Sequence, residues 1–150
     1  MRIYLDTNAL IAALEGEDTV AELVRRLLES AAAGRTSFVT SELTLAELLV
    51  EPLRAGDVGR IEAILGVFGS AAAFVVVPVD RTMLLGAADL RAAQSGLKLP
   101  DAIHLATALA HDCPFVLSND RKLPALPDIA YIRLEAAQLQ LVLEEATRAD

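Results

Sequence analysis

The chain has 150 residues, with 13 Lys and Arg against 21 Asp and Glu, for a formal net charge of −8; the length fits one domain, residues 1–150, that can bury roughly 70% of the surface its unfolded form exposes. Hydrophobic residues make up 54% and aromatics 4%, so the core must come from Leu, Val, Ile and Ala on helix and strand faces, a composition suited to layers of helix and parallel sheet. The acidic balance excludes sequence-blind adhesion to nucleic acid through a basic surface, while leaving open a carboxylate site that repels phosphates until cations fill it.

The N-terminus, MRIYLDTN, lacks the charged start and apolar run of a signal peptide. RIYL at 2–5 reads as a short strand ended by Asp6, Thr7 and Asn8, which favour turns and caps. ALIAAL can begin a short helix. Thr19 and Glu22 form a capping box ahead of VAELVRRLLESAAAG, where Val20, Leu23, Val24, Leu27 and Leu28 recur at helical spacing up to Gly34. TSFVT is a second strand, and Ser41 caps the helix ELTLAELLVE, which Pro52 is expected to end. Residues 57–69 look helical despite Gly59, Gly66 and Gly69.

FVVVPV at 74–79 reads as a buried strand, and the apolar run it belongs to, 71–79, is too short to span a bilayer and contains Pro78. Asp80 caps RTMLLGAADLRAAQS, closed by Gly96. The next helix opens at Asp101, directly after Leu99 and Pro100, and runs to about His111. The single cysteine, Cys113, cannot form an internal disulfide and reads as a small buried residue, which points to a reducing cytoplasm and no membrane association. FVLS at 115–118 is a fourth strand, SNDRKLPALPD a loop, IAYIRL an edge strand and 135–147 a last amphipathic helix. Alternating strands and helices imply right-handed crossovers and an α/β fold with a mostly parallel sheet covered on both faces.

Ligands of open parallel sheets bind beyond the carboxyl ends of the strands. Asp6 follows the first strand and Asp120 the fourth, so both reach one rim if those strands are central, although each also suits a turn or cap. Glu47 has Leu43 and Val50 as helical neighbours, beside the apolar stripe, where a carboxylate needs a partner, a cation or a partly exposed edge beside Thr44 and Glu51. Glu42 is an alternative acid, more simply explained by the helix dipole of the first turn. Asp101 can likewise be a helix-opening carboxylate. Converging acids without matching Arg or Lys repel one another, and hard divalent cations relieve that cost; metal-assisted attack of water on a phosphodiester is the chemistry that follows. His104, three residues after Asp101, invites a metal-ligand or general-base reading that the scarcity of nitrogen and sulfur donors disfavours. His111 suits the C-terminal end of its helix.

In order, YLDTNAL, SELTLAELL, LPDAIHLATA and VLSNDRKL resemble the motifs of PIN-domain ribonucleases, especially VapC-type toxins, across residues 3 to about 134. The resemblance implies that Asp6, Glu47, Asp101 and Asp120 form an acidic quartet around Mg²⁺ or Mn²⁺, with Asp6, Asp101 and Asp120 holding the cation and Glu47 positioning or activating the attacking water. It also implies a three-layer α/β/α sandwich, an RNA substrate, and a homodimer held inactive by the cognate antitoxin of a type II toxin–antitoxin pair. Ser118 stands where such proteins often carry Thr in Thr-x-Asp, so its hydroxyl is expected to support the site or bind phosphate. Asn8 can orient a carboxylate or water, or simply cap a helix. Arg121 and Lys122 can contact the RNA backbone or lie on a solvated loop. Residues 57–69 and the apolar face of the last helix are candidate dimer or antitoxin contacts, or core. Two other classes compete: a phosphatase using Asp6 as nucleophile, whose usual second Asp two residues on is here Asn8, and a PIN-fold RNA- or protein-binding module without turnover.

Overall fold

Strand-forming residues assemble five short segments into one sheet: β1 (Arg2–Leu5), β2 (Ser37–Ser41), β3 (Val75–Val77), β4 (Phe115–Leu117) and β5 (Ala130–Ile132). The computed structural model describes residues 1–70 and 73–148; the first two residues of the apolar run 71–79 lie outside them. Every strand pairing is parallel, in the order β3-β2-β1-β4-β5. Among the described residues seven α-helices cover the sheet: α1 (Thr7–Glu15), α2 (Thr19–Glu29), α3 (Glu42–Ala55), α4 (Val58–Ser70), α5 (Arg81–Ala93), α6 (Leu99–Ala110) and α7 (Ala136–Thr147).

Side chains alternate across the pleat. Ile3, Leu5, Phe38, Leu117 and Ile132 pack on one face with buried residues of α1, α2 and α7, together with Leu48 of α3 and Ile64 of α4. Tyr4, Val39, Val77 and Val116 pack on the other, chiefly beneath α5 and α6. The result is the expected three-layer α/β/α sandwich. Its middle helix on the second face, α6, is buried continuously from Ala102 to Ala108. Gly86 lets α5 lie close, since a Cβ there would stand 3.2 Å from that of Ala106.

Four boundaries differ from those the sequence suggests. Asp18, not Thr19, caps α2, accepting the Ala21 N–H at 2.8 Å. Pro52 does not end α3, which continues to Ala55 and stops at Gly56 with φ +66°. A proline so near the C-terminus loses one bond of the final turn and leaves the rest intact, and the left-handed residue ends the helix. Only Val75–Val77 of FVVVPV pairs, as an edge strand with Val75 54% exposed, because Pro78 has no N–H to continue a ladder. Finally, α6 begins at Leu99 with Pro100 in its first turn, so Asp101 is an interior first-turn residue, and the cap position, Lys98, makes no side-chain capping bond.

The chain builds outward from β1 to β3, then returns to place β4 on the other side of β1. The loops after β1 and β4 therefore diverge at the switch point of the sheet, where such folds form their crevice.

Candidate functional site

At that crevice the Asp6 N–H donates to the Leu117 carbonyl at 3.3 Å, tying the ends of β1 and β4 together. Asp6 caps α1 by accepting the Ala9 N–H at 3.2 Å and is buried. Burial raises its pKa, an effect that the Ser118 hydroxyl, the Ala9 N–H and the neighbouring His104 only partly offset. Asp120 sits in the loop after β4, which is shaped by its own hydrogen bonds: the Asp120 N–H donates to Ser118 Oγ at 3.1 Å, Asp120 Oδ1 accepts the Lys122 N–H at 2.8 Å, and Arg133 Nη1 donates to the Asp120 carbonyl at 2.8 Å.

The other two acids come from helices. Glu47 projects from α3 with its side chain 32% exposed. Thr7 Oγ1 donates to its Oε2, and His104 Nε2 lies 3.3 Å from both carboxylate oxygens. Burial pushes the Glu47 carboxyl up, but the bonds to His104 and Thr7 outweigh it and the net shift is down. Asp101 moves the other way: burial raises its pKa, the like charges of Asp120 and Glu47 add to that, and His104 and Lys98 only partly compensate.

Asp6, Glu47, Asp101 and Asp120 all line one pocket of about 80 Å³, with Asn8, Thr7 and His104 between them and Leu105, Val116 and Leu123 as apolar wall. No Lys or Arg lines it among the described residues. A wider groove of about 280 Å³ adjoins it, sharing Asp101 and Asp120 and bounded by Gln94 to Lys98, Lys122 and Pro124.

The structure thus brings together all four acids and Asn8, with Ser118 buried beneath the two strand-end aspartates. Lys122 reaches the groove, whereas Arg121 pairs with Glu135 at 2.9 Å and lines neither cavity. Sequence reasoning did not single out Thr7, Lys98 or Arg133. His104 carried a usable signal, the three-residue spacing that puts it on the Asp101 side of α6. His111 is the C-terminal cap of α6, and Cys113 is a buried thiol whose pKa burial raises to about 11.

The donor set is all oxygen apart from one imidazole already engaged by Glu47 and Tyr4, which suits a hard divalent cation. Among the described residues no three His, Cys, Asp or Glu side chains stand as a preformed metal cage.

The PIN domain family model matches residues 3–129. The VapC ribonuclease Mb1869c of Mycobacterium bovis and ribonuclease VapC13 of Mycobacterium tuberculosis are each 34% identical over 107 residues, covering 70% of this chain and 79% of theirs. Among solved structures, VapBC2 from Rickettsia felis bound to a promoter DNA fragment superposes with a TM-score of 0.69 at 19% identity, covering 89% of this chain and 98% of that one. The sarcin–ricin-loop-cleaving toxin VapC20 of Mycobacterium tuberculosis gives 0.64 at 18% identity, covering 81% and 92%; at such identities these two show the shared fold. With the family model spanning most of the sequence and relatives this similar over two thirds of it, the chain belongs to the PIN domain family, among its VapC-type members.

Proposed function

We propose that this chain is a divalent-metal-dependent endoribonuclease that hydrolyses RNA phosphodiester bonds, and that it is the toxin of a type II toxin–antitoxin pair. The observation that carries the reading is the meeting of four carboxylates, from β1, α3, α6 and the loop after β4, in one pocket without a Lys or Arg to neutralise them. The curated relatives, both named as VapC ribonucleases, support the same activity.

Asp6, Asp101 and Asp120 would hold Mg²⁺ or Mn²⁺. When bound, such a cation supplies Lewis-acid stabilisation of the charge that develops on the phosphodiester and eases deprotonation of water. The chain's own part is positioning. Glu47, held ionised by His104 and Thr7, is an acceptor that orients the attacking water and receives its proton as the new phosphorus–oxygen bond forms and the bond to the leaving ribose oxygen breaks, that oxygen taking a proton from solvent. Ser118 steadies Asp6 and the Asp120 loop, and Asn8 offers an amide to a carboxylate or to the water. Lys98 and Lys122, which both line the adjoining groove, would take phosphates of the flanking RNA.

A cognate antitoxin is the proposed partner: solved structures of similar fold include toxin–antitoxin complexes from Rickettsia felis and Salmonella typhimurium. A homodimer is proposed with it; in the segment 57–69 that the sequence offers for such contacts, Ile64 is buried while Val58 and Leu65 are exposed. Among the described residues no helix is long and apolar enough to cross a membrane. The lone buried thiol of Cys113 fits the proposed cytoplasmic location.

The test is cleavage of a labelled, mixed RNA pool by purified protein with Mg²⁺, Mn²⁺ or chelator, beside folded Asp6→Asn and Asp101→Asn variants. Metal-dependent cleavage lost in both variants is the expected result. Equal cleavage by parent and variants overturns the assignment of the site, and intact RNA under every condition overturns the activity.

A further inference from the structure

A buried polar chain leads to Glu47 from the opposite side of the pocket. The hydroxyl of Tyr4, the fully buried third residue of β1, lies 2.7 Å from His104 Nδ1, and the two rings are tilted by 58°. His104 Nε2 then meets both oxygens of Glu47 at 3.3 Å. One contact spans 100 positions of sequence and the other 57, so β1, α6 and α3 are tied at a single imidazole.

The protons on this chain can be assigned from the partners. An ionised carboxylate only accepts, so His104 Nε2 must carry a hydrogen. The Tyr4 hydroxyl carries one O–H, which at 2.7 Å it can give to Nδ1. The arrangement that satisfies both partners is the Nε2–H tautomer, with Nδ1 receiving from Tyr4 and Nε2 giving to Glu47. Thr7 donates to Glu47 from a separate direction. Two donors from different elements leave the carboxylate little freedom to rotate, and a water-orienting group needs that restraint. A histidine that merely filled the core would gain nothing by ending its hydrogen-bond chain on a carboxylate that opens into the pocket.

We propose that His104 is a positioning residue for the reaction: its Nε2–H aims the Glu47 carboxylate, and the buried Tyr4 hydroxyl selects the imidazole tautomer that does so. The effect on cleavage rests on the ribonuclease reading; the tautomer does not, and is measurable without metal or RNA.

The experiment has two arms. In nitrogen-15 NMR of the metal-free protein, His104 should show a protonated Nε2 and a pyridine-like Nδ1, and Tyr4→Phe should shift population toward the other tautomer. A protonated Nδ1 in the parent, or a spectrum unmoved by Tyr4→Phe, overturns the proposal whether or not RNA is cut. In cleavage assays, His104→Ala should lower kcat by about 10- to 100-fold with KM within about twofold, the range for loss of a supporting hydrogen bond. Gln can place an amide N–H near the Nε2 position and Asn cannot. His104→Gln should therefore recover most of the rate, His104→Asn little of it. Equal rates for the Gln and Asn variants overturn the positioning role, and no cleavage by the parent overturns the ribonuclease reading while leaving the NMR result to decide the tautomer.

Discussion

Asp101, in the first turn of α6, faces Asp120 in the loop after β4 closely enough that the charge of Asp120 adds to burial in raising the Asp101 pKa. The fold therefore holds two carboxylates where they repel each other when no cation lies between them. Function and stability are opposed at this point. Asp101→Asn should raise the Tm of the metal-free protein by a few degrees, on the scale of about 2–4 °C per kcal/mol for a domain of this size. Added Mg²⁺ or Mn²⁺ should raise the Tm of the parent by mass action and that of the variant much less. Thermal melts in chelator and in metal check both; a variant less stable than the parent in chelator contradicts the repulsion.

The pH dependence follows from the directions of three shifts. Asp6 and Asp101 have raised pKa values, so the folded state binds their protons more tightly than the unfolded chain does. Their contribution favours the fold at low pH and is lost as pH rises from the ordinary carboxylate value, about 4, through the folded value. Glu47 is shifted down and has the opposite sign: its contribution is present above the ordinary value and is lost as pH falls through the folded one. In urea titrations of metal-free protein, the stability gained by Asp6→Asn should thus be largest near pH 7 and shrink toward pH 4. Glu47→Gln should instead lose stability near pH 7 and converge on the parent in acid. Asn is as good a helix cap as Asp, so the Asp6 comparison is not confounded by loss of the bond from Ala9.

The sequence made the acids legible for different reasons. Asp6 follows its apolar strand directly and Asp120 comes two residues after FVLS, and strand ends at a switch point are where ligands bind. Glu47 was visible as a charge beside an apolar stripe, and Asp101 as a carboxylate opening a helix that has to be buried. What pairs with them was less visible. The partner of Glu47 depends on a histidine 57 positions away, and the partner of that histidine on a tyrosine 100 positions earlier, separations that no helical or strand period encodes. Lys98 and Arg133 reach the site only through the paths of the α5–α6 turn and of β5. Thr7 looked like any cap-forming residue. The boundary errors have local causes: Asp18 and Thr19 are both good caps, and only tertiary packing decides which is used, while Pro52 is tolerated because it falls in the last turn of α3.

Gly16 is required by space and not by backbone conformation, since its φ of −75° is open to any residue. A Cβ there would lie 2.5 Å from the Ala21 Cβ and 2.6 Å from the Ala12 carbonyl oxygen, neither of which can swing aside. Arg25 clamps the same turn by donating to the carbonyls of Ala13 and Gly16 at 3.2 and 3.0 Å. Gly16→Ala should therefore cost about 1–3 kcal/mol, the usual range for overpacking, seen as a lower urea midpoint with unchanged slope. Because Asp6 and Thr7 sit at the other end of α1, cleavage well below the Tm should match the parent.

Lys98 precedes α6 and Lys122 follows Asp120, and the groove they flank opens directly onto the two shared aspartates. If they bind phosphates on either side of the scissile bond, each neutralises one charge and releases counterions from the RNA. Removing either should weaken binding across sequences and flatten the dependence of log affinity on log salt by roughly 0.7 per contact for a single strand. Arg121, paired with Glu135 and lining neither cavity, is the internal control: Arg121→Ala should leave the slope unchanged. The measurement is RNA affinity of cleavage-silenced Asp6→Asn protein from about 50 to 200 mM salt, with Lys98→Ala, Lys122→Ala and Arg121→Ala built on it. A shallower slope for both lysine variants and not for Arg121→Ala places the strand along the groove; parallel slopes for all three variants would mean that RNA approaches the carboxylates from another side.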